Sequence, residues 1–228
     1  RTRTACVSCD CLDEDGILCL VDTVTTVPNH AGDCPVFYQC TALKAVDAPG
    51  VTYIGAYAFG QASSLEVANL PAVTTLSYAA FTSCVALKAL FAPSLTSLAE
   101  GALLSAVELE YAEMPRVTVM GPLAMAGCLK LRSLFLPALT TIASETFGYV
   151  TVMPQMIYMP SNGLVSLHMP KLQSIPRYAF RACDNVASLD LPSLTSVETR
   201  AFYGLTGLTS VRLESLAVVP SEAFLSNA

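Results

Sequence analysis

Charge is what this sequence has least of. Only 13% of its 228 residues are Asp, Glu, Lys or Arg, and the twelve Lys and Arg include no basic run. Nucleic-acid binding draws on clustered cations that neutralise phosphate, so no nucleic-acid partner is expected. Histidine is nearly absent: His30 lies in the N-terminal segment and His168 much further on. None of the spacings of a nucleophile elbow, a zinc-protease helix, a dinucleotide loop or a phosphate loop occurs. Glu110 and Glu113 flank Tyr111, but a carboxylate pair on an open surface has no water-excluding pocket to tune it. No enzyme, no cofactor and no metal are expected. No apolar run reaches the ~18 residues of a transmembrane helix, and no Asn-x-Ser/Thr acceptor is present.

What the chain has is apolar mass. It is 53% hydrophobic, too apolar for disorder, which needs low hydrophobicity and high charge. The apolar residues must therefore be spread through a long packed core. The net charge is −6 and the pI about 4.8. Five of nine cysteines, Cys6, Cys9, Cys11, Cys19 and Cys34, crowd the first 34 residues. That crowding points to an oxidising compartment and a stapled segment. The chain opens on Arg1 without an initiator methionine or signal sequence, as expected of a mature or trimmed form.

The apolar residues keep a period. Pro49, Pro71, Pro93, Pro115 and Pro137 are 22 apart, as are Pro170 and Pro192, and Glu214 takes the last proline slot. The step from Pro137 to Pro170 is one period plus 11. A second ladder runs in register: Phe37, Phe59, Phe81, Leu103, Met125, Phe147, Phe180, Phe202 and Phe224. Each unit reads roughly L-x-x-L-x-L-P-x-L-T-x-I-x-x-x-A-F. Strand alternation puts Leu87, Leu90 and Ala92 inward, with Ala89 and Phe91 outward. Proline ends that strand because it cannot donate to a ladder. A second short extended piece follows with Leu95 and Leu98 inward, and the Ala-Phe pair turns the corner. One unit cannot cover its own apolar face, so units must stack.

The stretches "LFAPSLTSLAEGAL", "LDLPSLTSVETRAF" and "HMPKLQSIPRYAFRAC" resemble the BspA-like, or Treponema pallidum-type, leucine-rich repeat. The resemblance covers about 40 to 228. It implies a curved right-handed leucine-rich repeat solenoid with a parallel strand face. It also implies a cell-surface or secreted protein that acts in adhesion or host interaction. "CVSCDCLDEDGILCLVDTVTTVP" is similar to the cysteine-rich cap of extracellular leucine-rich repeat proteins, though its cysteine spacing departs from the usual one. That likeness implies the pairs Cys6–Cys11 and Cys9–Cys19. Two parts are expected: a cap with a degenerate first repeat over 1–39, and the solenoid of about eight repeats over 40–228, with an 11-residue insertion within 148–163.

Cys34 and Cys40 are expected to close the first corner. Cys84, Cys128 and Cys183 share a slot with Ala62, Ala106 and Leu205. Same-slot residues two strands apart lie roughly 10 Å apart, beyond the ~7 Å reach of a disulfide between Cα atoms. These three should be buried free thiols. Zinc on the N-terminal thiolates is the rival reading, but zinc ribbons space their pairs by roughly a dozen residues or more. "DEDG", Asp13 to Gly16, suits a solvated turn.

Outward slots carry the functional information, since folding does not dictate them. Two before the proline slot the series reads Asp47, Asn69, Phe91, Glu113, Phe135, His168, Asp190, Arg212. Four before it reads Ala45, Val67, Ala89, Tyr111, Ser133, Ser166, Ser188, Ser210. Phe91, Tyr111 and Phe135 thus gather around Glu113, with His168, Asp190 and Arg212 beyond. Aromatics ringed by polar groups are hot-spot composition; packing along the sheet is the alternative. The insertion adds Met153, Met156, Tyr158 and Met159, either a projecting adaptable surface or a bulge folded onto the core. The sequence stops at "AFLSNA" without a polar cap, so the chain is expected to continue or to self-associate through this end. The reading is an extracellular, non-enzymatic protein that binds a protein or glycan on its strand face, with a structural spacer as the alternative.

Overall fold

The computed structural model describes residues 12–19, 24–29, 37–148, 150–152, 157–159 and 163–225. Among the described residues are nineteen strands of two or three residues, and seventeen of them form two rows along a parallel β-solenoid. The first row holds β1 (Ile17–Cys19), β3 (Ala45–Asp47), β5 (Val67–Asn69), β7 (Ala89–Phe91), β9 (Tyr111–Glu113), β11 (Ser133–Phe135), β15 (Ser166–His168), β17 (Ser188–Asp190) and β19 (Ser210–Arg212). The second row holds β2 (Thr26–Val27), β4 (Tyr53–Ile54), β6 (Thr75–Leu76), β8 (Ser97–Leu98), β10 (Val119–Met120), β12 (Thr141–Ile142), β16 (Ser174–Ile175) and β18 (Ser196–Val197). Among the described residues no helix is long and apolar enough to cross a membrane.

Each repeat is built by its own punctuation. Leu90 and Leu98 are buried as strand alternation requires, and Leu87, Ala92 and Leu95, in the turns that flank those strands, are buried with them. The proline sits at the second position of a β-turn that joins the two rows. Val73 N–H donates to Leu70 C=O across Pro71 at 3.3 Å, and Leu95 N–H donates to Ala92 C=O across Pro93 at 3.1 Å. Proline's fixed φ presets that position. The far corner needs two left-handed residues per repeat. Ala79 and Ser83 (φ 51° and 56°) take them in one unit, Tyr178 and Ala182 (60° and 56°) in another. Each costs about 1 kcal/mol or more in a residue with a Cβ. Bonds to the next repeat hold them: Ser83 N–H donates to Leu104 C=O at 2.7 Å.

The corner aromatics stack like coins. Phe37, Phe59 and Phe81 lie 5.0 and 4.9 Å apart with rings nearly parallel. Leu103 and Met125 interrupt them, and the stack resumes through Phe147, Phe180, Phe202 and Phe224 at 4.6–5.8 Å. A threonine ladder ties the second row together. The hydroxyls of Thr52, Thr74, Thr96, Thr118 and Thr140 each donate to the carbonyl one repeat earlier at 3.0–3.2 Å.

Two interruptions break this regularity. The first row is one five-stranded sheet, β1 to β9, and one four-stranded sheet, β11 to β19; no rung joins β9 to β11. The second row divides later, between β12 and β16. The insertion between those strands is an antiparallel hairpin, β13 (Val150–Val152) with β14 (Ile157–Met159), with Val150 opposite Met159. Chain re-entry demands glycine at Gly163, where a Cβ would sit 2.2 Å from Leu129 O.

The N-terminal segment joins both rows. β1 pairs with β3 and β2 with β4, in parallel. The Asp13–Gly16 turn is closed by Asp13 Oδ1, which accepts from the N–H of Asp15 and Ile17 at 3.0 and 2.8 Å. The expected cap pairing requires correction. Cys19 is a free, exposed thiol, so the Cys9–Cys19 bond is not made. The reason is strand alternation: Leu18 faces the core and Cys19 stands in the outward row, in register with Asp47. Cys6, Cys9, Cys11, Cys34 and His30 lie outside the described residues. Cys40 is buried at the first corner and is disulfide-bonded; no bridge joins two described cysteines. Cys84 and Cys128 are buried free thiols, as their slot requires, and Cys183 is buried in the same slot.

Candidate binding site on the strand face

The outward positions of the first row form two parallel rows fixed by strand register. Asp47, Asn69, Phe91 and Glu113 follow one another on the first sheet; Phe135, His168, Asp190 and Arg212 do so on the second. The three aromatics do not form one cluster. Phe91 and Tyr111 meet at 5.4 Å with tilted rings, while Phe135 stacks on His168 at 5.4 Å and 6°. The missing rung between β9 and β11 separates the two pairs. Tyr111 and Phe135 are the prominent rings, 50% and 60% exposed. Tyr111 Oη stands 3.4 Å from Glu113 Oε2.

Polar side chains extend both pairs. Asn69 Nδ2 donates to Asp47 Oδ1 at 2.8 Å. His168 Nδ1 is 3.4 Å from Asp190 Oδ2. Arg212 donates to Glu214 Oε1 through Nε and Nη2 at 2.9 and 2.7 Å, and its Nη1 lies 3.7 Å from Asp190 Oδ1. That Asp190 oxygen is shielded from solvent and has no hydrogen-bond partner among the described residues. An acceptor in this state is costly to leave unmade, and the Arg212 guanidinium 3.7 Å away offsets part of that cost.

One charge pattern escapes inspection of the aromatic rows alone. Just before the strands the slot reads Lys44, Glu66, Lys88, Glu110, Arg132, signs alternating at the repeat period. Lys88 Nζ pairs with Glu66 Oε2 at 2.7 Å. That hydrogen bond, and then the ammonium charge, holds the Glu66 carboxyl below its usual range. The period-22 alternation of Lys and Glu was the available signal. Among the insertion candidates, Met153 and Met156 lie outside the described residues, while Tyr158 and Met159 fall on β14. The distal end presents an open groove of about 500 Å³ beside β19, lined by Leu208, Val211, Leu213 and Phe224.

The profile of the BspA type leucine rich repeat region (6 copies) matches residues 33–153 and 151–228. Among solved structures the chain is similar to a T. pallidum leucine rich repeat protein. Identity is 18% over 86% of this chain and 79% of that one, with a TM-score of 0.57. It is also similar to the Toll–Spätzle complex of Drosophila, at 20% identity over 78% of this chain and TM-score 0.52. A complex of TLR13 with ssRNA13 is similar at 23% identity over 78% of this chain and TM-score 0.51. The match spans about a quarter of each of those two longer chains, 24% and 26%. At these identities the likeness is one of fold. No curated protein matches the sequence.

Proposed function

The chain belongs to the BspA-type leucine-rich repeat family, and on that premise we propose that it is a non-enzymatic binding protein of the cell surface or extracellular space. Its strand face engages a protein or glycan partner. One observation carries the reading: Tyr111 and Phe135 stand half or more exposed at outward positions where folding needs no apolar group. Around them lie Phe91, Glu113 and His168, with Asp190 and Arg212 following along the same row. Exposed aromatics beside polar groups are the usual composition of interaction hot spots. Related solenoids are seen in a complex with Spätzle and in a complex with ssRNA13; here the net charge of −6 favours the first kind of partner. The cysteine-rich first 34 residues support an oxidising compartment. Residues 1–39 serve as the cap of the solenoid, and the distal groove beside β19 is where copies of the chain would associate.

The test is retention of the labelled protein on a glycan array and on a panel of purified matrix proteins. Replacing Phe91, Tyr111 or Phe135 by alanine should weaken whatever is captured by about tenfold or more, with the melting curve unchanged. Unaltered capture by the triple variant would show that the face is not the site. A spacer without a ligand is the alternative, favoured by the plain serine row Ser166, Ser188, Ser210; it requires that nothing be captured.

A further inference from the structure

One corner of the distal repeats carries side chains that folding does not call for. The slot of Arg177 is filled elsewhere by Ala56, Glu100 and Ser144, and that of Arg181 by Gly60, Thr82 and Ala126. Yet three guanidinium groups converge here on one ring. Arg177 Nη2 and Arg200 Nη1 each donate to Tyr178 Oη at 3.2 Å. Arg177 Cζ lies 4.7 Å and Arg181 Cζ 4.9 Å from the centre of the Tyr178 ring, and Arg181 also reaches Tyr203 at 5.5 Å. The two rings meet edge to face at 6.1 Å. Donation from Arg200, then Arg177, lowers the Tyr178 pKa from its ordinary value, which reports a positive local field.

The cations here are not all matched by carboxylates. Arg200 Nε is paired with Glu222 Oε2 at 3.0 Å. Glu198 accepts the backbone N–H of Arg177 at 2.9 Å. Among the described residues no carboxylate comes within ion-pair distance of the Arg177 guanidinium. Arg177 therefore keeps an uncompensated charge, in a chain whose net charge is −6. The patch is also pre-ordered: the guanidiniums are held against tyrosine rings, so little side-chain freedom is left to lose on binding. Planar guanidinium forks match carboxylate and sulfate oxygens two at a time. The approach along β16 and β18 is a line of exposed hydroxyls, Ser174, Ser196 and Thr199. Hydroxyls suit a sugar chain, whereas an acidic peptide would want apolar anchors as well.

From these contacts we infer that the corner built by Arg177, Tyr178, Arg181 and Arg200 binds an acidic saccharide chain through its sulfate or carboxylate groups. Arg177 and Arg181 hold the anion, and Arg200 positions Tyr178 between them. The site lies at the far corner, apart from the first-row strand face, so it stands or falls independently of the function proposed above.

Calorimetric titration of the full chain with heparin, polygalacturonate and poly-glutamate, at low and at physiological salt, tests this. The wild type should bind at least one of the two saccharides, more weakly as salt rises. Arg177→Gln/Arg181→Gln should lose about tenfold or more in affinity. Arg116→Gln/Arg132→Gln, which removes the same charge at exposed positions elsewhere, should lose far less. Heparin alone would identify sulfate as the recognised group, and polygalacturonate alone the carboxylate. Arg177→Lys/Arg181→Lys keeps the charge without the fork and should fall between wild type and the glutamine variant, which guards against a folding defect in the latter. Equal losses in the two glutamine variants, binding of poly-glutamate only, or no binding of any of the three would overturn the inference.

Discussion

The cysteine slot shows how one residue can answer two demands at once. Cys84 Sγ donates to Phe59 O at 3.0 Å and Cys128 Sγ to Leu103 O at 3.5 Å, inside a core where Ala62 and Ala106 fill the same place. Burial pushes both thiols up to about 12. Alkylation of the folded protein should therefore modify Cys19 and spare Cys84 and Cys128 until denaturant is added, as read by mass. The same shift sets a pH dependence. The folded state favours the neutral thiol, so this contribution is fully present below the thiol's ordinary value and is lost as pH climbs toward 12. Wild type should lose stability relative to Cys84→Ala/Cys128→Ala above about pH 9, with a slope of up to ~1.4 kcal/mol per pH unit for each thiol. Urea midpoints from about pH 8 to 10.5 measure it. Core and face should also separate cleanly: Phe59→Ala should cost about 3–5 kcal/mol, Phe135→Ala less than about 0.5 kcal/mol.

At the scale of elements, the break between β9 and β11 is the consequential feature. Elsewhere each repeat donates to the one before and the one after: Glu110 N–H to Lys88 O at 2.9 Å, Ala92 N–H to Glu113 O at 3.0 Å. The amides of Arg132 and Met114 have no such partner among the described residues. Hydrogen exchange should find these two amides open while those of Glu110 and Ala92 stay protected; equal protection would mean that the rungs form in solution. This break was illegible in the sequence because the spacing from Pro115 to Pro137 is an unaltered 22. The repeat itself was legible because Pro and Phe fall at fixed offsets, which fixes the phase of every strand and hence which side chains point in. The composition of the outward rows was legible for the same reason. The division of its rings into Phe91–Tyr111 and Phe135–His168 was not, since it depends on which rungs form. Nor were the left-handed corners, since Ala79, Ser83 and Tyr178 carry no glycine signal. The insertion's "VTV" and "IYM" are β-rich, but only pairing reveals a hairpin.

For the whole molecule, every rung, stack and threonine bond reaches only the neighbouring repeat. Stability is then a sum of nearest-neighbour terms. The distal end has the fewest of them: β19 is exposed at all three residues, and Val218 is 75% exposed. Protection against exchange should decline from β15 through β17 to β19, where a globular core would protect all three alike.

The interruptions in the two rows also give the molecule a mechanical character. Pulled from its ends, a stack of this kind is loaded in series, and every interface carries the same force. It should yield first where β9 meets β11 without rungs and where Leu103 and Met125 interrupt the ring stack. Each repeat of 22 residues released after that would lengthen the chain by up to about 75 Å, at ~3.4 Å per residue. Anchored at one end and holding a partner at the other, such a stack would act as an extensible tether, giving way one repeat at a time while the rest stays wound.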